Sequence, residues 1–177
     1  MVTVAVVVIL SGLAIVNYSQ RLSQERLLAS ARILHAWLDE HRRIAMQRGG
    51  ACRLTIDSTS ASLDPTGENV ILPDGKTTPN VCANRTPLLL KETTESGEKI
   101  ELKKNQSEAS AIIFSFRGFS QIANADNNWS TDPELELRLF MPKVERERCI
   151  KLISPLGLIR DGYAASDESD CIYNSTY

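Results

Sequence analysis

Charge is missing from the first twenty residues of this 177-residue chain, proline from the first 48, and histidine from everything after position 41. Each absence removes a class of explanation. No proline interrupts a helix from Met1 to Arg48, because no residue there lacks the backbone N–H or clashes with the preceding turn. With no histidine beyond His41, the C-terminal part lacks the usual acid–base group for nucleophilic catalysis, and a carboxylate pair would have to work unaided. His35 and His41 lie six positions apart, about 120° around a helix, too divergent to share a metal. There is no G-x-S-x-G elbow, no H-E-x-x-H pair and no phosphate-cradling glycine loop. Cys52, Cys82, Cys149 and Cys171 lack the C-x-x-C spacing of zinc sites and thioredoxin-like centres. No internal repeat or low-complexity tract is present. The sequence therefore predicts a non-catalytic protein without a cofactor or bound metal.

Four widely spaced cysteines instead suggest disulfides formed outside the cytoplasm. Three pairings are possible. Proximity favours Cys52 with Cys82 and Cys149 with Cys171, each closing a loop rich in turn residues.

The apolar run Met1–Val16 leads directly into a polar, arginine-dotted stretch ending at Arg48. At about 1.5 Å per residue, sixteen residues reach roughly 24 Å, short of a hydrocarbon layer of about 30 Å. Arg21, Arg26 and Arg32 follow this run and none precedes it. By the positive-inside rule that would leave the remainder of the chain in the cytoplasm, against the cysteines. A basic leader upstream of Met1 removes both objections, and an initiator chosen too far downstream is the expectation. No small-x-small cleavage site precedes Asn17, which argues against a signal peptide. Beyond the run, Leu27, Ala31, Leu34, Leu38 and Ala45 form one apolar stripe, with Arg32, Asp39, Glu40 and Arg43 facing outward. Gly49 and Gly50 stop the helix. Three segments follow: 1–20, a hydrophobic transmembrane or filament-core helix; 21–48, an amphipathic helix; and 49–177, a β-rich head.

Formal net charge is -2. Six arginines against Glu25, Asp39 and Glu40 give the helix +3, so the head carries -5. That balance does not point to nucleic acid.

Alternation in the head marks strands at Cys52–Asp57, at Ile100 and Leu102, at Ile112–Phe116, at Leu135–Met141 and at Ile150 with Leu152. Glu134, Glu136 and Arg138 are expected to face water. Val70–Leu72 and Leu88–Leu90 are shorter candidates. Turn clusters such as Pro73, Asp74 and Gly75 suggest antiparallel hairpins, while 105–110 and 123–132 read as exposed loops. The predicted class is α+β, a long helix packed on an antiparallel sheet.

The run Val4–Gln20, with Leu13, Ala14, Ile15, Asn17, Tyr18 and Ser19, resembles the N-terminal helix of type IV pilins and type II secretion pseudopilins. Ala31, Arg32, Gly49, the strand Cys52–Asp57, Phe114–Gly118 and Ile153–Gly157 extend the resemblance to the GspH/FimT branch of minor pilins and pseudopilins. The resemblance implies a type IV pilin-like fold and a short basic leader removed by a prepilin peptidase. It also implies a Phe-Thr-Leu-Ile-Glu-Leu-type mature terminus before Met1, methylated by that peptidase. Val16 stands where the family usually has proline. The implied role is structural, in a type IV pilus or type II secretion pseudopilus, with the head in the periplasm of a bacterium. Implied partners are other pilins or pseudopilins through the stem, the inner membrane and the assembly platform. Gly12 and Ser11 would permit close helix approach. The alternative is a membrane-anchored extracytoplasmic binding domain, a DNA or ligand receptor.

FimT-like members are associated with DNA capture through a Gly-Arg-x-Arg element. Here the matching positions are Gly157, Leu158, Ile159 and Arg160, so one arginine is absent. Arg160, Lys151 and Arg148, with Lys143 and Arg146, are the candidate DNA contacts, but Glu145 and Glu147 interleave them and would repel phosphate. A self-neutralising strand end is the favoured reading. Asp167, Glu168 and Asp170, and the loop Asp126–Asn128, hold oxygen ligands without the fixed order of an EF-hand and read as solubilising loops. Sequons at Asn84, Asn128 and Asn174 carry no functional weight. Trp37 and Trp129 are candidate interface residues, Trp37 close enough to the stripe to be core.

Overall fold

The computed structural model describes residues 2–65, 67, 69–72, 75–90, 99–124, 128–142, 144–165 and 170–173, with backbone alone for 2–17. Pro73, Asp74, Asp126, Asn127, Lys143, Asp167, Glu168 and Asn174 lie outside them.

A single helix, α1 (Val2–Arg48), runs 47 residues. The expected stripe is its buried face: Leu27, Ala31, Leu34, Leu38, Ile44 and Ala45 all pack in the core. Each leucine removed from water contributes about 1.5–3 kcal/mol before entropy is counted. The helix ends where the glycines predict. Gly50 N–H donates to Ala45 O at 3.2 Å and Gly49 N–H to Met46 O at 3.4 Å, a Schellman pair, with Gly49 at φ +64° where an L residue is disfavoured. No helix of the described residues is long and apolar enough to cross a membrane.

Two five-stranded antiparallel sheets follow. The first has the order β5 (Leu88–Leu89), β2 (Ser62–Asp64), β1 (Cys52–Asp57), β7 (Ala109–Phe114), β8 (Ser120–Asn124). The second has the order β12 (Ile172–Tyr173), β11 (Leu158–Ala165), β10 (Arg146–Ile153), β9 (Glu134–Phe140), β6 (Glu101–Lys104). The main core lies between α1 and the inner faces of both sheets, where Leu54, Ile112 and Phe114 of one join Leu135, Leu137, Leu139, Ile150 and Leu152 of the other. A hairpin of β3 (Asn69–Ile71) and β4 (Thr77–Pro79), together with Trp129, covers the far side of the first sheet over Ala111, Ile113 and Ala123. Thus β7 is buried on both faces.

The differences from the sequence reading have local causes. Leu158–Ala165 is a full strand that Asp161 and Gly162 disguise by breaking the alternation. The expected exposed loops 105–110 and 123–132 are shorter in the fold: Ala109 and Ser110 open β7, Ala123 and Asn124 end β8 paired with it, and Ala109 and Ala123 are buried. Alternation predicts Phe116 on the same face as Ile112 and Phe114, but β7 ends at Phe114 and Phe116 is 53% exposed on the following turn. Glu136, expected in water, is only 8% exposed, for the reason given below.

Candidate functional site

The helix–sheet joint fixes how α1 sits on the two sheets. His35 Nδ1 sits 2.7 Å from Asp161 Oδ1 across 126 residues, clipping α1 to β11. The hydrogen bond to Asp161 is the chief cause that raises the His35 pKa above its ordinary 6.5, with partial burial opposing it. Nearly two turns further, His41 is buried; its Nδ1–H donates to Trp37 O at 2.8 Å and its ring centre lies 3.8 Å from that of Trp37. Burial depresses its pKa. Both histidines thus serve the packing of the helix. Trp37 packs against the core, and Trp129 against the second cluster.

Both disulfides connect the nearer cysteines, Cys52 with Cys82 and Cys149 with Cys171. The first lies in the main core. There Asn80 assists it, its Oδ1 accepting from the N–H groups of Arg53 at 3.2 Å and Cys82 at 3.1 Å. The second holds β12 against the outer face of its sheet. Tyr173 from β12 donates its hydroxyl to Glu136, whose Oε1 also accepts from Arg138 Nε at 2.5 Å, and Glu147 lies 3.9 Å from Arg138. Glu136 is therefore paired with Arg138 and met by the Tyr173 side chain rather than solvated. Burial first, and then the Glu136 carboxylate, push the Tyr173 phenol well above its ordinary pKa. Glu136, Cys149 and Cys171 do converge, but both sulfurs are consumed by their mutual bond and offer no thiolate to a metal.

The candidate DNA contacts do not form one surface. Lys151 and Arg160 are cross-strand partners on the outer face. Arg148, three residues from Lys151 on an alternating strand, faces the other way and lines a small cavity with Leu28, Ala31 and Arg32 of α1. Lys151 is engaged besides, its Nζ 2.8 Å from Glu134 and 4.7 Å from the Tyr173 ring centre. Strand parity alone held that signal in the sequence.

A polar cleft of about 450 Å³ opens between Asn105–Ala109 and Asn128–Asp132. Its best hydrogen-bonding groups are already spent. Asn105 Oδ1 accepts from Gln106 and Glu136 N–H, Gln106 Nε2 donates to Glu134 O, and Ser130 Oγ donates to Gln106 Oε1. The cleft is a loop junction built for itself.

What sequence reasoning missed is a meeting of two turns. The β7–β8 turn and the β10–β11 turn dock on each other, Ser120 N–H donating to Pro155 O at 2.9 Å and Ser154 Oγ to Ser120 O at 2.8 Å. Arg42 Nε from α1 donates to Gly118 O at 3.0 Å and ties the pair to the helix end. Gly118 and Gly157, both at positive φ, were the visible signal.

No protein-family model and no curated protein matches this chain. Among solved structures it is similar to the minor pseudopilin EpsH from the Type 2 Secretion System of Vibrio cholerae, with 15% identity and a TM-score of 0.50. The match covers 81% of this chain and 99% of that one. At such identity the likeness concerns architecture: one long N-terminal helix packed on antiparallel sheets, the α+β pilin-like fold.

Proposed function

We propose that this chain is a minor pilin or pseudopilin of the GspH/FimT branch, a non-catalytic structural subunit of a type II secretion pseudopilus or type IV pilus. The observation that carries the reading is the continuity of α1: one unbroken helix is core of the head from Leu27 to Ala45 and extends N-terminally through the apolar run. A mere anchor has no need to be rigidly continuous with its domain. A polymerising stem does, because the head must follow the helix when it leaves the bilayer. On this reading residues 1–20 pack against neighbouring stems, 21–48 connect, and 49–177 form a periplasmic head. Inner-membrane residence precedes assembly, and the assembly platform and other subunits are the partners. The two disulfides agree with an oxidising compartment. DNA capture has no support from Arg148, Lys151 and Arg160, which the sheet divides between two faces.

The test is partition of the full chain in its own cells. A carboxylate at the middle of an apolar segment costs about 2.5–3.5 kcal/mol of membrane insertion. Val8→Asp should therefore leave both the membrane fraction and the sheared filament fraction, while Val8→Leu stays in both. A wild-type chain that fills the membrane fraction but never enters the filament fraction refutes the reading.

A further inference from the structure

Strand parity turns Arg148 toward α1, where a recess of about 170 Å³ is lined by Leu28, Ala31 and Arg32 of the helix and by Arg148, Asp161 and Tyr163 of β10 and β11. Arg148 and Tyr163 are cross-strand partners, so they share this face. Arg148 is half-buried there. Neither its guanidinium nor that of Arg32 has a carboxylate or hydrogen-bond partner among the described residues. A guanidinium carries five N–H donors and no acceptor, and one drawn partly out of water gives up hydration that only an acceptor restores.

The carboxylate in the recess is already committed, since Asp161 Oδ1 lies 2.7 Å from His35 Nδ1. Other acids nearby are turned or spaced away. Glu147 has the opposite parity and lies 3.9 Å from Arg138 on the outer face. On α1, Glu25 and Asp39 stand seven residues to either side of Arg32, about 10 Å along the axis, and do not line the recess. Arg146, two residues before Arg148 and on the same face, lies 6.0 Å from the Tyr163 ring centre and adds a third cation. Three arginines against one carboxylate leave the recess positive even when His35 is neutral.

Size and charge together select a ligand class. At ~30 Å³ per water, the recess holds about five or six waters. It falls below the ~300–1,000 Å³ of sites that take organic ligands. One guanidinium fork occupies both oxygens of a carboxylate, so two arginines from two elements call for an ion with three or four oxygens. We propose that the recess binds phosphate or sulfate, clamped between Arg32 of α1 and Arg148 of β10. The bound ion joins helix to sheet beside the His35–Asp161 clip. Along α1, Arg32 stands about 18 Å past Gln20, where the uncharged stretch ends, whereas a lipid headgroup layer is only about 5–8 Å deep. The source is therefore the free ion. A recess of this volume admits no duplex DNA.

The experiment dialyses the full chain, in a phosphate-free maltoside detergent, against radiolabelled inorganic phosphate at an ionic strength held constant with chloride. The expected result is saturable uptake of a single phosphate per chain. Arg148→Gln and Arg32→Gln should each weaken it about tenfold or more, as loss of a charged hydrogen bond implies. Arg160→Gln, on the outer face beside Lys151, should leave it unchanged. Unfolding midpoints without phosphate show that each variant is folded. With phosphate at ten times its Kd, the wild-type midpoint should rise by about 3–6 °C. Phosphate also stabilises proteins by exclusion from their surfaces, so the variants carry this second readout. An equal rise in wild type and both recess variants overturns the inference, as does absence of saturable uptake or a loss confined to Arg160→Gln. Co-purified phospholipid held by wild type and released by Arg148→Gln would place a headgroup in the recess and overturn the free-ion assignment.

Discussion

Gly49 and Gly157 pose one question in two settings. Both occupy the left-handed region, at φ +64° and +66°, so alanine meets a similar backbone penalty of about 1–2 kcal/mol at each. Part of that is offset at both sites because alanine restricts the unfolded chain, by about 0.4–1 kcal/mol. Space distinguishes them. Around Gly49 nothing lies within 4 Å of a new Cβ, whereas at Gly157 the Cβ would stand 2.3 Å from Gly118 O and 3.2 Å from Arg42 Nε. Those two atoms are bonded to each other at 3.0 Å, so neither can yield without breaking the joint between turns and helix. Separation to an ordinary C···O contact requires roughly 1 Å of backbone movement. Overpacking of that kind costs a further ~1–3 kcal/mol. Gly49→Ala should thus cost about 1 kcal/mol and Gly157→Ala ~1–3 kcal/mol more. In thermal unfolding of the full chain in detergent, at ~2–4 °C per kcal/mol, Gly157→Ala should melt about 2–12 °C below Gly49→Ala. Equal losses at the two sites would refute the claim that the turns are locked onto α1.

Four further outcomes are expected. Leu38→Ala, at a fully buried stripe position, should cost ~2–5 kcal/mol in urea unfolding, while Ile33→Ala, 53% exposed, should cost far less. Because the His35 pKa is raised, its clip to Asp161 contributes fully below pH 6.5 and is lost as pH rises through the elevated value; His35→Ala should destabilise at pH 5.5 and little at pH 9. His41 has the opposite sign. Its depressed pKa means the unfolded chain takes up the proton first, so stability falls as pH drops from 6.5 through the lowered value, and His41→Leu should remove that acid-side loss. Replacing Cys52 and Cys82 together by serine opens a loop of separation 30, worth about 3–4 kcal/mol in chain entropy, and should lower the denaturation midpoint accordingly.

Local periodicity carried the legible part of this molecule. The stripe Leu27 to Ala45 and the stop at Gly49 were readable because helix period and C-cap chemistry are properties of adjacent residues. The same holds for β1, whose alternation is strict, and in outline for β9 and β10, whereas β7 is buried on both faces and showed only its inward residues. Glu136 was misread because alternation reports residue type, while its burial depends on Tyr173, brought across by the Cys149–Cys171 bond. Strand β11 escaped because Asp161 faces the helix to meet His35, a partnership no local rule anticipates. The division of Arg148 from Lys151 was available from strand parity once β10 was accepted as a strand. The docking of the two turns was not, since it depends on segments 39 residues apart meeting at the end of α1.

The central claim is that the apolar run is a packing stem rather than a passive anchor. Benzoylphenylalanine at Val6 of the full chain, illuminated in its own cells, tests it most directly. The account predicts adducts to the apolar N-terminal helices of other subunits, enriched in the sheared filament fraction. Adducts to lipid alone, with the head folded and both disulfides intact, would contradict it.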